Sequence, residues 1–209
     1  MAEQQQNLTV ETLTIQQALD LALEHHKAGR LPDAQNIYQQ ILQQEPNQTT
    51  ALHMLGVLAY QDGRNERAVE LISQAIEIQP DLAEAYNNLG VAQEDLGNLA
   101  KAVTSYRKAI VLQPRYIDAH YNLGNALRKL ENFPEAVANY QKTLALDPNY
   151  PNAHTNLGTA LQKIGNLDEA IVNYRKALAL QPDEAPAYVN LGIAYHGLGQ
   201  FPDAVASYR

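Results

Sequence analysis

Apolar and polar positions along the chain repeat every 34 residues, a period marked by Pro46, Pro80, Pro114, Pro148 and Pro182. We number each repeat from slot 1 to slot 34, with the first repeat covering residues 15–48. Slots 4, 7, 8 and 11 are apolar or small, which is the spacing of one face of an α-helix. Ala in slot 20 and, in most repeats, Tyr in slot 24 indicate a second helix that packs closely on the first. Each repeat therefore predicts a helical hairpin, helix A followed by helix B, without any strand.

Glycine and proline mark the ends of the predicted helices. Slot 15 holds Gly29, Gly63, Gly97, Gly165 and Gly199, which suits the left-handed residue that follows a helix. Glu131 occupies this slot in the repeat 117–150, so we expect its turn to be less favourable. Proline in slot 18 (Pro32, Pro134 and Pro202) fits a first helical turn, which needs no amide donor. Proline in slot 32 stops helix B because it cannot continue the hydrogen-bond ladder.

These residues resemble the tetratricopeptide signature of aromatic-x2-Leu-Gly, Ala-x3-aromatic and Pro. In the repeat 83–116 the signature is carried by Tyr86, Leu89, Gly90, Ala102, Tyr106 and Pro114. The pattern spans residues 15–209 as repeats 15–48, 49–82, 83–116, 117–150, 151–184 and a partial repeat 185–209. The resemblance implies an all-α fold, a right-handed superhelix (α-solenoid) of stacked hairpins. It also implies that the A helices line the concave side.

Both ends of the chain depart from the repeat. The repeat 15–48 has Ala18 in slot 4 and Ala22 in slot 8, as expected of a terminal repeat with one face toward water. We interpret residues 1–14 as a lead segment that starts frayed and then covers the first hairpin. Arg209 falls in slot 25, partway through helix B, so Val205 and Tyr208 are expected to face water. We interpret the chain as part of a longer protein; the alternative is a natural end capped by a neighbouring molecule.

Composition narrows the functional classes. With 45% hydrophobic and 18% charged residues the chain is expected to fold, and its formal net charge of −8 argues against binding to duplex nucleic acid. The absence of cysteine excludes disulfides and thiol catalysis. The sequence contains no apolar run near the ~18 residues that span a membrane, and no signal peptide. We therefore expect no membrane partner and a cytoplasmic location.

No motif in the sequence predicts catalysis. Gly197-Leu198-Gly199 follows a helix rather than a strand, so we interpret it as a turn and not as a phosphate-binding loop. His120 and His154 both occupy slot 4, where other repeats have tyrosine, and we expect them to be half-buried packing residues. The sequence predicts no catalytic residue, no cofactor and no metal site, and therefore no enzyme within this chain.

Asparagine in slot 6 is the polar feature that repeats: Asn88, Asn122, Asn156 and Asn190. Slots 2, 6, 9 and 13 form one helical stripe nearly opposite the packing face. A primary amide can both donate to and accept from a peptide backbone, so this stripe predicts a groove for an extended ligand. The other candidate groove residues are Asn125, Thr159, Lys129 and Lys163. The alternative is that these amides are only solvated or bond to neighbouring backbone.

Two narrower resemblances concern the partner. Co-chaperone repeats grip acidic C-terminal tails with a lysine in slot 5, but slot 5 here holds His53, Asn87, Tyr121, Thr155 and Val189, so this likeness is weak. The segments Ala119–Leu127 and Leu52–Val57 resemble the repeat region of bacterial O-linked N-acetylglucosamine transferases. In that family the repeats recruit protein substrates to a separate C-terminal catalytic domain.

We therefore predict a protein-interaction module that binds extended peptide or protein ligands in its groove, as the recruiting part of a larger protein. The alternative is a self-assembling scaffold that associates through its open C-terminal face, where Ala204, Val205 and Tyr208 lie. The identity of the partner cannot be derived from these residues.

Overall fold

The computed structural model describes residues 13–209, so most of the lead segment predicted at residues 1–14 lies outside the described residues. The chain divides into two compact parts, unit 1 up to Gly97 and unit 2 from Asn98 to Arg209. Unit 1 contains five helices: α1 (Ile15–Lys27), α2 (Leu31–Gln44), α3 (Thr49–Gln61), α4 (Asn65–Ile78) and α5 (Ala83–Asp95). Unit 2 contains seven: α6 (Leu99–Leu112), α7 (Ile117–Lys129), α8 (Phe133–Leu146), α9 (Pro151–Lys163), α10 (Leu167–Leu180), α11 (Ala185–Gly197) and α12 (Phe201–Ser207).

All regular structure within residues 13–209 is helical, which confirms the predicted fold class. Odd-numbered helices are the predicted A helices and even-numbered helices are the predicted B helices. Within unit 1, α1 packs on α2, α3 packs on α4, and α2 and α4 also contact the A helix that follows them. Within unit 2, α7 packs on α8, α9 on α10 and α11 on α12, and each B helix again contacts the next A helix.

The helix ends follow the glycine and proline signals. Helix α9 ends one residue before Ile164, and Gly165 then adopts a φ of 86°, a left-handed conformation that glycine enters without a steric penalty. Glu131 adopts a φ of 59° at the matching position, so this turn carries the conformational cost that the sequence predicted. Helix α8 ends at Leu146, two residues before Pro148, because the residue preceding a proline is disfavoured in helical geometry.

In unit 1 the first repeat is closed by small side chains. Ala18, Ala22 and Ala34 are completely buried, and Tyr38 and Ile41 fill the space between α2 and its neighbours. Leu13 and Ile15 are partly buried against this cluster. Thr14 begins α1 with a capping box, in which its hydroxyl accepts from the backbone of Gln17 while the Gln17 side chain accepts from the backbone of Thr14.

In unit 2 each hairpin is closed by a glycine against a tyrosine. A Cβ atom built on Gly158 would lie 2.7 Å from Cε1 of Tyr174, and one on Gly124 would lie 2.7 Å from Cε1 of Tyr140. Real Cβ atoms do not approach so closely, so glycine in slot 8 of α7 and α9 is what lets the slot-24 ring lie against the A-helix backbone. Tyr140 and Tyr174 are completely buried as a result.

Candidate functional site

The predicted groove residues of unit 2 lie on α7, α9 and α11. Helix α9 contacts both α7 and α11, so these three A helices form one layer. We call its polar side the A face, defined by Tyr121, Asn125, Arg128, Asn156, Thr159, Lys163 and Asn190. Asn122, Asn125, Asn156, Thr159 and Asn190 are half-buried, whereas Lys129 and Lys163 are exposed. The slot-6 and slot-9 side chains therefore lie where successive A helices meet, and not on the freely solvated stripe that the helical projection predicted.

Asn156 of α9 bonds back to α7. Its Nδ2 atom donates to the hydroxyl of Tyr121 at 3.1 Å and to Oδ1 of Asn125 at 2.9 Å. Burial raises the pKa of Tyr121, so its hydroxyl stays neutral at physiological pH. Both N–H bonds of the Asn156 amide are thus used between repeats, while its Oδ1 bonds to no other described residue.

Asn125 receives a second bond from within its own hairpin. The hydroxyl of Tyr140 donates to Oδ1 of Asn125 at 2.8 Å, next to the bond from Asn156. The two lone pairs of this oxygen are then occupied, and the Asn125 amide also donates to the hydroxyl of Tyr121, so it can interact further only through the remaining N–H bond of Nδ2. Side by side, Asn125 and Asn156 offer the A face one donor group and one acceptor oxygen, which is the pair that a peptide unit requires.

Asn190 of α11 contacts α9 in the same way as Asn156 contacts α7, but over a longer distance. Nδ2 of Asn190 lies 3.5 Å from Oγ1 of Thr159, which itself donates to the backbone oxygen of Thr155 at 3.0 Å. The hydroxyl of Tyr174 donates to Oε1 of Gln162 at 2.9 Å and lies 3.4 Å from Thr159. The long Asn190 contact leaves its amide less constrained than that of Asn156.

Asn88 belongs to unit 1, where its amide has a different partner. Its Nδ2 donates to Nε2 of His53 across 3.0 Å, since an amide nitrogen cannot accept. His53 is buried, and burial lowers its pKa to about 4, so the imidazole is neutral and can accept this bond. The sequence alone gave His53 no partner, because the two residues are 35 positions apart and meet only when the hairpins stack.

His120 and His154 were predicted to be half-buried packing residues, and the structure buries both. Nε2 of His154 donates to the carbonyl oxygen of Pro148 at 3.1 Å, and Nδ1 lies 3.0 Å from Oδ1 of Asn173. His120 makes the same contacts with Pro114 and Asn139. Within residues 13–209, no group of three or more His, Asp or Glu side chains is arranged to hold a metal ion.

Arg128 also lies on the A face, although it is not among the groove residues that the sequence predicted. It is half-buried, and its Nε atom is shielded from water without a hydrogen-bond partner among the described residues. Its charge acts on the hydroxyl of Tyr121, where it opposes the larger effect of burial on the pKa. The Tyr121 ring in turn lies 4.8 Å from that of Tyr150, at the start of α9. Position 128 lies in slot 12, outside the predicted stripe, so the helical projection did not select it.

An all-helical array of hairpins with a polar A face and a buried glycine–tyrosine closure is typical of repeat proteins that bind other proteins. A tetratricopeptide repeat family model matches residues 25–93, and a TPR repeat family model matches residues 95–131, 124–165 and 163–199. The chain belongs to the tetratricopeptide repeat family and is a protein-interaction module. No curated protein sequence is a significant match.

Solved structures share the fold over most of the chain. MamA is 27% identical with a TM-score of 0.71, covering 78% of this chain and 96% of its own. PilW, described as a widely conserved type IV pilus biogenesis factor, is 23% identical with a TM-score of 0.78, covering 94% and 91%. YrrB, described as a TPR protein with an unusual peptide-binding site, is 19% identical with a TM-score of 0.73, covering 85% and 93%. No helix described within residues 13–209 is long and apolar enough to cross a membrane.

Proposed function

We propose that the A face of unit 2 binds an extended peptide through the peptide's backbone. The observation that carries this proposal is the hydrogen bonding of two neighbouring amides. Asn125 already accepts two hydrogen bonds at its oxygen, and Asn156 already donates both of its N–H bonds. A ligand amide would donate to Oδ1 of Asn156, and the adjacent ligand carbonyl would accept from Nδ2 of Asn125. Asn190 and Thr159 would continue the same contacts one repeat further along.

The spacing of the repeats suits this mode of binding. Packed helices lie 8–10 Å apart, so we expect successive amides to be separated by roughly 10 Å. An extended chain rises about 3.3 Å per residue, so about every third ligand residue would meet an amide. Recognition of this kind tolerates many ligand side chains, because the bonds go to groups that every residue has. Asn88 lies in unit 1 and is bonded to His53, so we restrict the proposal to the asparagines of unit 2.

The proposal predicts that alanine at Asn156 and Asn190 together weakens peptide binding by about 1–3 kcal/mol, since each net hydrogen bond contributes about 0.5–1.5 kcal/mol. The probe is a peptide selected by the intact chain from a displayed library of randomised ten-residue peptides, and the measurement is its dissociation constant by fluorescence anisotropy. Asn173→Ala on α10 is the matched control, because it removes a half-buried asparagine away from the A face.

A second measurement isolates the backbone. N-methylation of one peptide bond in the probe should weaken binding as strongly as the double variant, whereas alanine at the same ligand position should have little effect. Equal binding to the double variant and the parent, or indifference to N-methylation at every position, would contradict the proposal. Circular dichroism of the double variant separates a lost contact from a lost fold.

We further propose that this binding recruits substrates for a larger protein, and that the chain itself contributes no catalytic group. The support is the resemblance of the segments Ala119–Leu127 and Leu52–Val57 to the repeat region of bacterial O-linked N-acetylglucosamine transferases. A cytoplasmic location is part of this proposal.

Self-association through α11 and α12 is a second candidate function, favoured by one observation. Val189 and Ile193 on α11 and Val205 and Tyr208 at the adjacent α12 are 45–51% exposed, and Val189 and Tyr208 line one pocket; we call these four side chains the apolar patch. Ala204, which the sequence analysis added to this patch, is buried at 3% exposure and does not belong to it. A second copy of the chain would cover these side chains and bury apolar surface on both partners.

If this patch mediates association, the mass measured by light scattering should rise with concentration, and a Val189→Glu/Val205→Glu variant should stay monomeric because buried carboxylates are strongly unfavourable. The control is Val111→Glu, which places the same charge on a side chain that is 72% exposed on α6. A parent chain that remains monomeric at every concentration, or a variant that associates like the parent, would contradict the scaffold function.

A further inference from the structure

Arg128 of unit 2 is half-buried, and its Nε atom is shielded from water without a hydrogen-bond partner among residues 13–209. One ion pair within unit 2 joins Arg107 to Glu135, and Arg175 lies over the ring of Tyr195 at 5.5 Å. Arg128 has neither kind of partner in the described part of the chain, and its Nε is shielded from water. Sheltering a charge without a partner is unfavourable, so an anion that reached the guanidinium would recover part of this cost.

The surroundings of Arg128 decide which anion fits. On α7, Arg128 lies three residues after Asn125 and seven after Tyr121, so these side chains share one side of the helix. The charge of Arg128 acts on Tyr121, which also receives the bond from Asn156. Glu184 acts on the same tyrosine with the opposite sign and accepts a bond from Thr155 at 2.9 Å. A ligand that lies along α9 would therefore meet a cation near Arg128 and an anion near Glu184. This separation of charge favours a short carboxylate on a peptide over an extended polyanion.

We propose that Arg128 is a specificity residue that selects peptides with an aspartate or glutamate side chain beside the Asn125–Asn156 amide pair. Nη1 and Nη2 would donate to the two carboxylate oxygens, a geometry for which the planar guanidinium is suited. The chain has a net charge of −8 and repels acidic ligands at long range, so this selectivity rests on the local contact. The inference rests on the proposed peptide binding by the A face and names the ligand class for that site.

The test uses the intact chain and the displayed library of randomised ten-residue peptides. Peptides selected by the parent chain should be enriched in Asp or Glu at one position relative to Asn or Gln. A representative peptide and its Asp→Asn counterpart are then measured against the parent, Arg128→Gln and Arg115→Gln. Arg115 is exposed in the loop before α7, so its replacement removes the same charge without touching the A face.

We expect the Asp→Asn change to weaken binding to the parent and to Arg115→Gln about ten- to a hundredfold, as for hydrogen bonds to charged groups. The same change in the peptide should have no effect on its binding to Arg128→Gln, because this variant already lacks the contact that the Asp→Asn change removes. Selected peptides without acidic enrichment, or an equal Asp→Asn loss in Arg128→Gln, would overturn the selectivity while peptide binding stands. Selection of no peptide at all would overturn both the selectivity and the proposed function. An unchanged helical spectrum of Arg128→Gln separates these outcomes from unfolding.

Discussion

Replacing Tyr174 by alanine should lower the free energy of unfolding by about 3–5 kcal/mol, as for other large aromatic side chains removed from a core. Tyr174 is completely buried, and its ring fills the space that Gly158 leaves on α9. Because the neighbouring backbone cannot collapse into that space, the variant loses both the burial of the ring and the packing around it. Urea denaturation followed by circular dichroism measures this difference.

Two companion variants identify the source of the loss. Tyr174→Phe keeps the ring and removes only the hydroxyl, which donates to Gln162 and lies 3.4 Å from Thr159, so we expect a loss of about 0.5–1.5 kcal/mol. Tyr208 occupies the same slot of the last repeat but is 51% exposed, so Tyr208→Ala should cost under about 1 kcal/mol. Equal losses at Tyr174 and Tyr208 would show that the slot, and not its burial, sets the contribution.

Stability should fall as the pH is lowered from 6.5 toward 4, because His53 is neutral in the folded protein. Burial lowers its pKa from the ordinary value of 6.5 to about 4, so the unfolded chain binds a proton in this range that the folded chain does not. The stabilisation is complete above pH 6.5 and is lost as the pH approaches 4. The pKa difference corresponds to about 3 kcal/mol at 1.36 kcal/mol for each unit of pKa.

His53→Gln isolates this effect because glutamine can still accept the bond from Asn88 but does not titrate in this range. We expect the free energy of unfolding of the parent to decrease by about 3 kcal/mol more than that of His53→Gln between pH 7.5 and pH 4. His196→Gln is the control for the substitution itself, since His196 is exposed on α11 and the bond between His53 and Asn88 is intact in this variant, so the loss that depends on His53 should persist. If the parent and His53→Gln lose stability in parallel, other groups govern the response to acid.

The sequence by itself determined the helices and their ends. A period of 34 residues with apolar slots at helical spacing fixes two amphipathic helices in each repeat, and glycine and proline act locally on the backbone to end them. The turn at Glu131 could be predicted for the same reason, since the conformation of one residue depends mainly on its own side chain and those beside it. The slots also predicted that Tyr140 and Tyr174 pack between helices and that His120 and His154 are packing residues, because a slot fixes which face of the helix a side chain occupies; the histidines are buried rather than half-buried.

Only the tertiary structure decided the hydrogen-bond partners, the burial and the pKa values of the polar side chains. The sequence places Asn125 in slot 9 of one repeat and Asn156 in slot 6 of the next. Their contact joins residues 31 positions apart and arises from the stacking of α9 on α7. In unit 1 the stacking of α5 on α3 pairs Asn88 with His53, and in unit 2 the Nε atom of Arg128 is shielded from water without a partner among the described residues. A helical projection assigns each side chain to a face of its own helix and contains no information about the neighbouring helix. Hydrogen-bond partners, burial and pKa values depend on that neighbour, so the chemistry of the A face follows from packing between repeats.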